Sequence, residues 1–451
     1  MKTGLVIERH AFETRIAFFE EGRPVACRLA RIGANTILGN IYRARVKTTD
    51  ATLNAAFLDI GGAEALLGLR QARKLPGKRW ARSISECLAE GQSLAVQIIR
   101  EAQSEDGKLA RASAIITIEG RYSRLQSQPA GKEGEEEEGR CGEDWRLSSR
   151  RAATGVPEGA VRREADILKD AWLEVAGSKG EPGLLREEAP ALLRALRDAP
   201  AGSEEIFVNL TGLLGELRSA ATLWPDLSER IALWPEKQPA FDLLGLEDRL
   251  EEVIEGRLQL PSGGYLLQAE AAAMTVFDVN MGRATANSRR KALLATNIEA
   301  ARRIAHELRF QNIGGLVAVD FIDMADGGDR KAVVAEFKAA AAGDPSPLEW
   351  TGLSRFGILE LRRKRTGPTL RNLLVEPSGP ALRLESEAAK VLREAGRQAG
   401  AGSGPIVIRA GAQVIAWLEE QPGFLQDLAL QTGRKPVLET TGSGKSKETQ
   451  T

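Results

Sequence analysis

Histidine is nearly absent from this chain: His10 and His306 are its two examples among 451 residues. Chemistry that needs a pair of imidazoles, or a cluster of histidine metal ligands, would have to use both. Cysteine is scarce as well. Cys27, Cys87 and Cys141 stand far apart and form no CxxC arrangement, which argues against a disulfide framework or a structural zinc site and fits a reducing cytoplasm. No stretch approaches the roughly 18 uninterrupted apolar residues of a membrane span, and the N-terminus MKTGLVIERHAFETRI lacks the charged-then-apolar pattern of a signal peptide. Net charge is missing too, with 62 basic side chains against 62 acidic ones. No global field draws in nucleic acid, so any polyanion site must be a local basic patch.

Carboxylates are the chemical groups in supply, and the length allows about three domains. Residues 4–30 read as a β-hairpin built from LVIE, RIAFFE and VACRLA around an EEGRP turn. From GNIYRARV (39–46) to IITIEGRY (115–122), short apolar runs alternate with turn residues, the pattern of a small antiparallel barrel. Composition then shifts: QSQPAGKEGEEEEGRCGEDW is rich in Gly and Glu, and the acidic run 133–138 reads as a mobile loop. VRREADILKDAWLEVAG and PALLRALRDA read as helices and EIFVNL as a strand. LEDRLEEVIEGR reads as an amphipathic helix before a hairpin, LQLPSGGYLLQAE. Farther on, SEAAKVLREAGRQ predicts a helix, IVIRAG a strand, and VIAWLEEQPGFLQDLALQ a helix, with a polar tail from 440. GSGKS at 442–446 imitates a phosphate loop, but residue 439 is glutamate where that loop needs glycine.

GGLVAVDFIDM (314–324) sets one acid among apolar residues. Such a run predicts a strand buried on both faces of a sheet. An ionised carboxylate buried there without a partner costs several kcal/mol, so Asp320 is expected to be paired, neutral or holding a cation. A second acid lies in TVFDVNMGR (275–283), where alternation puts Asp278 and Asn280 on one face with Val276. Arg283, Arg289, Arg290 and Lys291 follow, then a helix with an Ile298, Ala301, Ala305 and Leu308 stripe. Strand, helix, strand predicts a right-handed crossover between parallel strands. Neighbouring strands lie about 4.8 Å apart, so Asp278 and Asp320 can face one small cation, while Asp323 points to the other side. Two carboxylates plus waters suit magnesium. A structural aspartate paired with arginine, or capping a helix, is the competing reading.

These segments resemble the ribonuclease E/G family: TVFDVNMGR, TNIEAARRIAHELRFQNIGGLVAVDFIDM, LSRFGILELRRKR (353–365), LPSGG (260–264) and GNIYRARV with LNAAFLDIG. The resemblance implies a multidomain α+β and α/β protein. Its parts would be a ribonuclease H-like domain in two pieces (1–37 and 204–277), an inserted S1 barrel of OB type (38–121) and a remodelled sensor-like subdomain (122–203). A deoxyribonuclease I-like subdomain (278–371), a small C-terminal domain (372–439) and a disordered tail (440–451) complete it. Asp278 and Asp320 then hold catalytic magnesium, or manganese in its place, and Asn280 supports them. Phe57 and Lys108 match the barrel positions that grip RNA, although Phe57 by its local pattern reads as barrel core. A second family phenylalanine is replaced by Leu66 or Leu67, removing a stacking surface worth about 1–3 kcal/mol per base.

Gly120 and Arg162 match the sensor of a 5′-monophosphate, but the family's threonine is missing and the segment carries the acidic run. That departure argues against phosphate sensing. RNLLVEPSGP follows RTGPTL without the zinc-link cysteines, so a zinc-linked dimer is not expected and a homodimer would need another interface. No long C-terminal extension follows, which argues against a degradosome scaffold. The implied function is a cytoplasmic, magnesium-dependent endoribonuclease that cuts single-stranded RNA in processing, ribosomal RNA included, or in decay. Its products would carry a 5′-phosphate and a 3′-hydroxyl, with Arg283, Arg289 and Arg290 on the RNA backbone. The alternative is an RNA-binding adaptor or regulator of the same descent.

Overall fold

The computed structural model describes residues 2–33, 36–102, 107–127, 144–271, 273–282, 289–377, 379–399 and 404–441. The chain divides into two compact units, one of Met1–Ile32, Phe207–Leu213 and Ala232–Thr451, the other of Gly33–Ile206 and Leu214–Ile231. The acidic run 133–138, Cys141, Arg283 and the 442–446 segment lie outside the described residues.

In the Gly33–Ile206 unit, Ile41–Asp50, Ala55–Asp59 and Glu64–Gly68 pair in antiparallel succession. Glu64–Gly68 then runs parallel to Ala110–Ser113, which pairs antiparallel with Ser93–Arg100, and that strand returns to Ile41–Asp50. The result is a closed five-stranded barrel, consistent with an OB fold. It differs from the expected antiparallel barrel in its one parallel pairing, made because the 69–92 segment crosses over before the chain re-enters the sheet. Val46, Ala56, Leu58, Ala65, Leu67, Val96 and Ile98 fill the interior. Alternation sends the intervening side chains outward. Beyond the barrel, Thr117–Glu119, Ser123–Ser127 and Trp145–Ser149 form a small sheet. Its Ile118 and Leu125 bury against Leu168, Trp172 and Val175 of the helix Glu158–Gly177.

In the other unit the predicted N-terminal hairpin is a three-stranded meander, Gly4–His10, Glu13–Glu20 and Arg23–Arg31. The helix expected around 414–431 is two helices, Ala412–Glu419 and Pro422–Thr432. Pro422 has no N–H to extend the first helix, but it suits the opening turn of the second.

A six-stranded sheet dominates this unit, in the order Arg257–Gln259, Tyr265–Glu270, Met274–Asn280, Gly315–Asp320, Ile358–Arg363, Leu348–Leu353. Its central pair is parallel and the others antiparallel. The helix Arg289–Phe310 supplies the crossover. Its Ala301, Ile304 and Leu308, with Val333 and Phe337 of the helix Gly327–Ala341, bury against Phe277, Val279, Val317, Val319 and Leu359. Deleting a ring such as Phe277 from this layer would cost about 3–5 kcal/mol. Among the described residues the opposite face carries no such layer: Leu267 is 42% and Leu316 51% exposed. The expectation that LVAVDFI is buried on both faces is therefore corrected. Val317 and Val319 face the helices, whereas Leu316 and Asp320 face outward and are exposed. A domain boundary at residue 278 would fall inside the strand Met274–Asn280.

Candidate active site on the open sheet face

Asp278 and Asp320 are direct register partners on the two central parallel strands, and both are exposed. They sit at the C-terminal ends of their strands, where ligands gather in parallel sheets. Asn280, two residues on and on the same face, donates from Nδ2 to Asp278 Oδ2 at 2.9 Å. Asp320 has no ion pair or side-chain hydrogen bond among the described residues. Like charges placed opposite each other across a sheet repel. The donor set therefore fits a divalent ion with oxygen ligands, which removes that repulsion and leaves room for water. The competing reading of an arginine-paired structural aspartate finds no such arginine among the described residues.

Two elements hold the strand ends, the LPSGG turn and the crossover helix. A Cβ on Gly282 would enter the van der Waals shell of the Gly263 carbonyl oxygen, and one on Gly264 would meet the Asn280 carbonyl oxygen at 2.7 Å. The LPSGG turn thus packs backbone to backbone against the Asn280–Gly282 exit. Ser262 ties that turn to the crossover helix by donating its N–H to Glu299 at 2.8 Å. Asn297, fully buried, bonds both backbone groups of Ile322 just beyond Asp320. Sequence reasoning missed Asn297. A polar residue on the buried side of a helix was the available signal.

Arg289 is exposed at the start of the crossover helix. Arg290 is engaged by Asp329 at 2.8 and 3.1 Å and by Asp326 at 3.0 Å, and these hydrogen bonds and charges raise its pKa. Asp323 is exposed in the loop after the strand.

On the barrel, Phe57 is half-buried on the outer surface rather than in the core. Its register partners are Thr48 and Leu66, and Leu66 in turn pairs with Arg111. Leu66 therefore shares the outer face with Phe57, whereas Leu67 is fully buried inside. Arg111 extends that row and was not foreseen. Lys108 is exposed at the approach to Arg111's strand.

Gly120 lies beside a carboxylate. Glu164, 5% exposed, accepts from the backbone N–H groups of Arg121 and Tyr122, each at 2.7 Å, and of Ser123 at 2.9 Å. The Trp224 indole N–H adds a fourth bond at 2.9 Å. Successive backbone N–H groups form an anion-binding nest, and here a side chain of the chain itself fills it. A Cβ on Gly120 would lie 2.6 Å from Glu164 Cδ. Arg162 is exposed on the same helix as Glu164.

The chain is similar to known proteins over most of its length. The family model of the ribonuclease E/G family matches residues 140–366. Ribonuclease G of Haemophilus influenzae is 29% identical over 95% of this chain and 94% of its own length. Ribonuclease G of Escherichia coli is 30% identical, over 83% and 82% respectively. Ribonuclease E of Escherichia coli is 28% identical over 82% of this chain but 37% of that longer protein. With half the chain inside the family model and most of it aligned to relatives of similar extent, the chain belongs to the ribonuclease E/G family.

Proposed function

We propose that this chain is an endoribonuclease that cuts single-stranded RNA, with magnesium, or manganese in its place, held by Asp278 and Asp320. The observation that carries the reading is the register pairing of these two acids on one open sheet face. The relatives named ribonuclease G and ribonuclease E support RNA cleavage as the activity. A bound divalent ion supplies Lewis acidity, for activating water and for balancing charge on the phosphate. Asn280 fixes the Asp278 carboxylate through its amide and keeps its carbonyl oxygen for orienting water. Attack of water on phosphorus with breakage of the P–O3′ bond, the 3′ oxygen leaving as the hydroxyl, would give a 5′-phosphate and a 3′-hydroxyl.

The barrel grips RNA through the outer row of Phe57, Leu66 and Arg111, with Lys108 nearby. Leucine at 66 gives dispersion contact without a stacking face. Arg289 serves the RNA backbone, as would Arg283, which lies outside the described residues. Arg290 is held by its own carboxylates. Glu164 in the amide nest supports cleavage that takes no account of a 5′-phosphate.

A fluorescent single-stranded RNA incubated with magnesium or EDTA, against wild type, Asp278→Asn and Asp320→Asn, tests the proposal. Cleavage by wild type that vanishes in EDTA and in both variants is expected. Unchanged cleavage by Asp278→Asn removes the site. Tight RNA binding by wild type without cleavage makes the chain an adaptor.

A further inference from the structure

From Ala65 to Ser85 the sequence holds Arg70, Arg73, Lys74, Lys78, Arg79 and Arg82 and no acidic residue, in a chain whose charge is balanced overall. In the middle stands Trp80, 83% exposed. Tryptophan is ordinarily among the well-buried side chains, so an indole left in water asks for a partner. Arg79 already lies over one face of the ring, with its guanidinium carbon 5.0 Å from the centroid.

Nor is the exposure a product of a loose loop. Ala72 precedes the segment, and Ala81, Ile84, Cys87 and Leu88 follow it, all buried in the barrel core. Arg73 Nε donates to the Ala81 carbonyl at 2.7 Å, and Lys78 Nζ to the Glu86 carbonyl at 2.8 Å. The Ala81 N–H donates to the Lys78 carbonyl at 3.1 Å, and the Ile84 N–H to Asn54 Oδ1 at 2.8 Å. The backbone is pinned on both sides of Trp80 while the ring is presented outward, already ordered before any ligand arrives.

We propose that Trp80, backed by Arg79 and flanked by Lys74, Lys78 and Arg82, is a second grip for single-stranded RNA on the barrel, stacking one nucleobase while the cations follow the phosphates. A flat π surface among cations that outnumber the one neighbouring carboxylate, Glu86, matches the two parts of a nucleotide. The inference rests on the RNA-cutting reading above but concerns a different surface from the Phe57 row.

The test is fluorescence anisotropy of a labelled 12-nucleotide single-stranded RNA with the full chain in EDTA, where no cleavage is expected. Trp80→Ala is expected to weaken binding about tenfold, within the range for one stacked base, Trp80→Leu equally, and Trp80→Phe far less. Arg79→Gln with Arg82→Gln is expected to flatten the dependence of affinity on salt. Affinity unchanged in Trp80→Ala overturns the proposal. So does self-association of wild type that Trp80→Ala abolishes without loss of RNA affinity, which would give this patch to a second copy of the chain. Wild-type cleavage, lost in Asp278→Asn, is read separately in magnesium, so failure here and failure of the nuclease reading are told apart.

Discussion

The Asn297 side chain forms a closed pair of hydrogen bonds with Ile322, donating from Nδ2 to its carbonyl at 2.8 Å and accepting at Oδ1 from its N–H at 3.1 Å. The crossover helix thereby clamps the chain two residues after Asp320. Asn297→Ala leaves both backbone groups of Ile322 without their partner, at a cost of about 1–3 kcal/mol. Cleavage is expected to fall more than folding does, with a higher magnesium concentration needed for half-maximal rate and RNA affinity in EDTA unchanged. A magnesium titration of cleavage, beside thermal melts, measures both effects.

Asp278 and Asp320 oppose like charges across one register position. Relieving that repulsion should stabilise the metal-free chain by a few tenths of a kcal/mol to about 1 kcal/mol. In EDTA, Asp320→Asn is expected to melt at or slightly above the wild-type temperature. Magnesium should raise the wild-type melting temperature and leave that of the variant unmoved. Differential scanning fluorimetry with and without magnesium reads the difference without reference to activity.

Glu164 occupies the amide nest at residues 121–123. RNAs that differ in carrying a 5′-monophosphate or a 5′-hydroxyl are therefore expected to be cut at equal rates. Competition between the two labelled substrates in one reaction provides the measurement. A preference for the monophosphate would show that another site senses it.

Glu307 is fully buried and bonded to Arg303 Nε at 2.8 Å and to Arg249. Burial alone would raise its pKa, but His306, 3.7 Å away, and the charges of Arg249 and Arg303 outweigh burial and bring it to about 2. A carboxyl held below its unfolded value of about 4.5 contributes stability that is complete above that pH and lost as pH falls toward 2. The contribution is roughly 3 kcal/mol. Glu307→Gln is expected to lose about 1–3 kcal/mol at neutral pH, because Arg249 and Arg303 lose a buried carboxylate partner while keeping Glu252. It should also show a flatter decline in stability between pH 4.5 and about 2. Urea titrations at stepped pH check the slope.

The sequence made the parallel pairing legible because the two acidic strands are joined by a helix of crossover length, and a one-residue slip would have turned either aspartate into the core. The number of buried faces was not legible. Leu316 and Ala318 are as apolar as Val317 and Val319, and a short apolar run does not say whether helices cover one side or two. Phe57 misled in the opposite sense: among Ala56 and Leu58 it looked like core, yet period-two geometry sends it out. The nest around Glu164 was illegible because backbone N–H groups leave no mark in a sequence. Trp80 carried its signal openly, in the lack of any acid from Ala65 to Ser85.

Among the described residues, helices clothe one face of the sheet and leave the second layer unfinished. Leu267 and Leu316 are wetted there beside the two acids, and shielding them from water would yield free energy only once something lies across the strands. Under the proposed chemistry that something is the polynucleotide. Its sugars and bases would then roof the strands, and the water left beneath would be what the acids need for cutting.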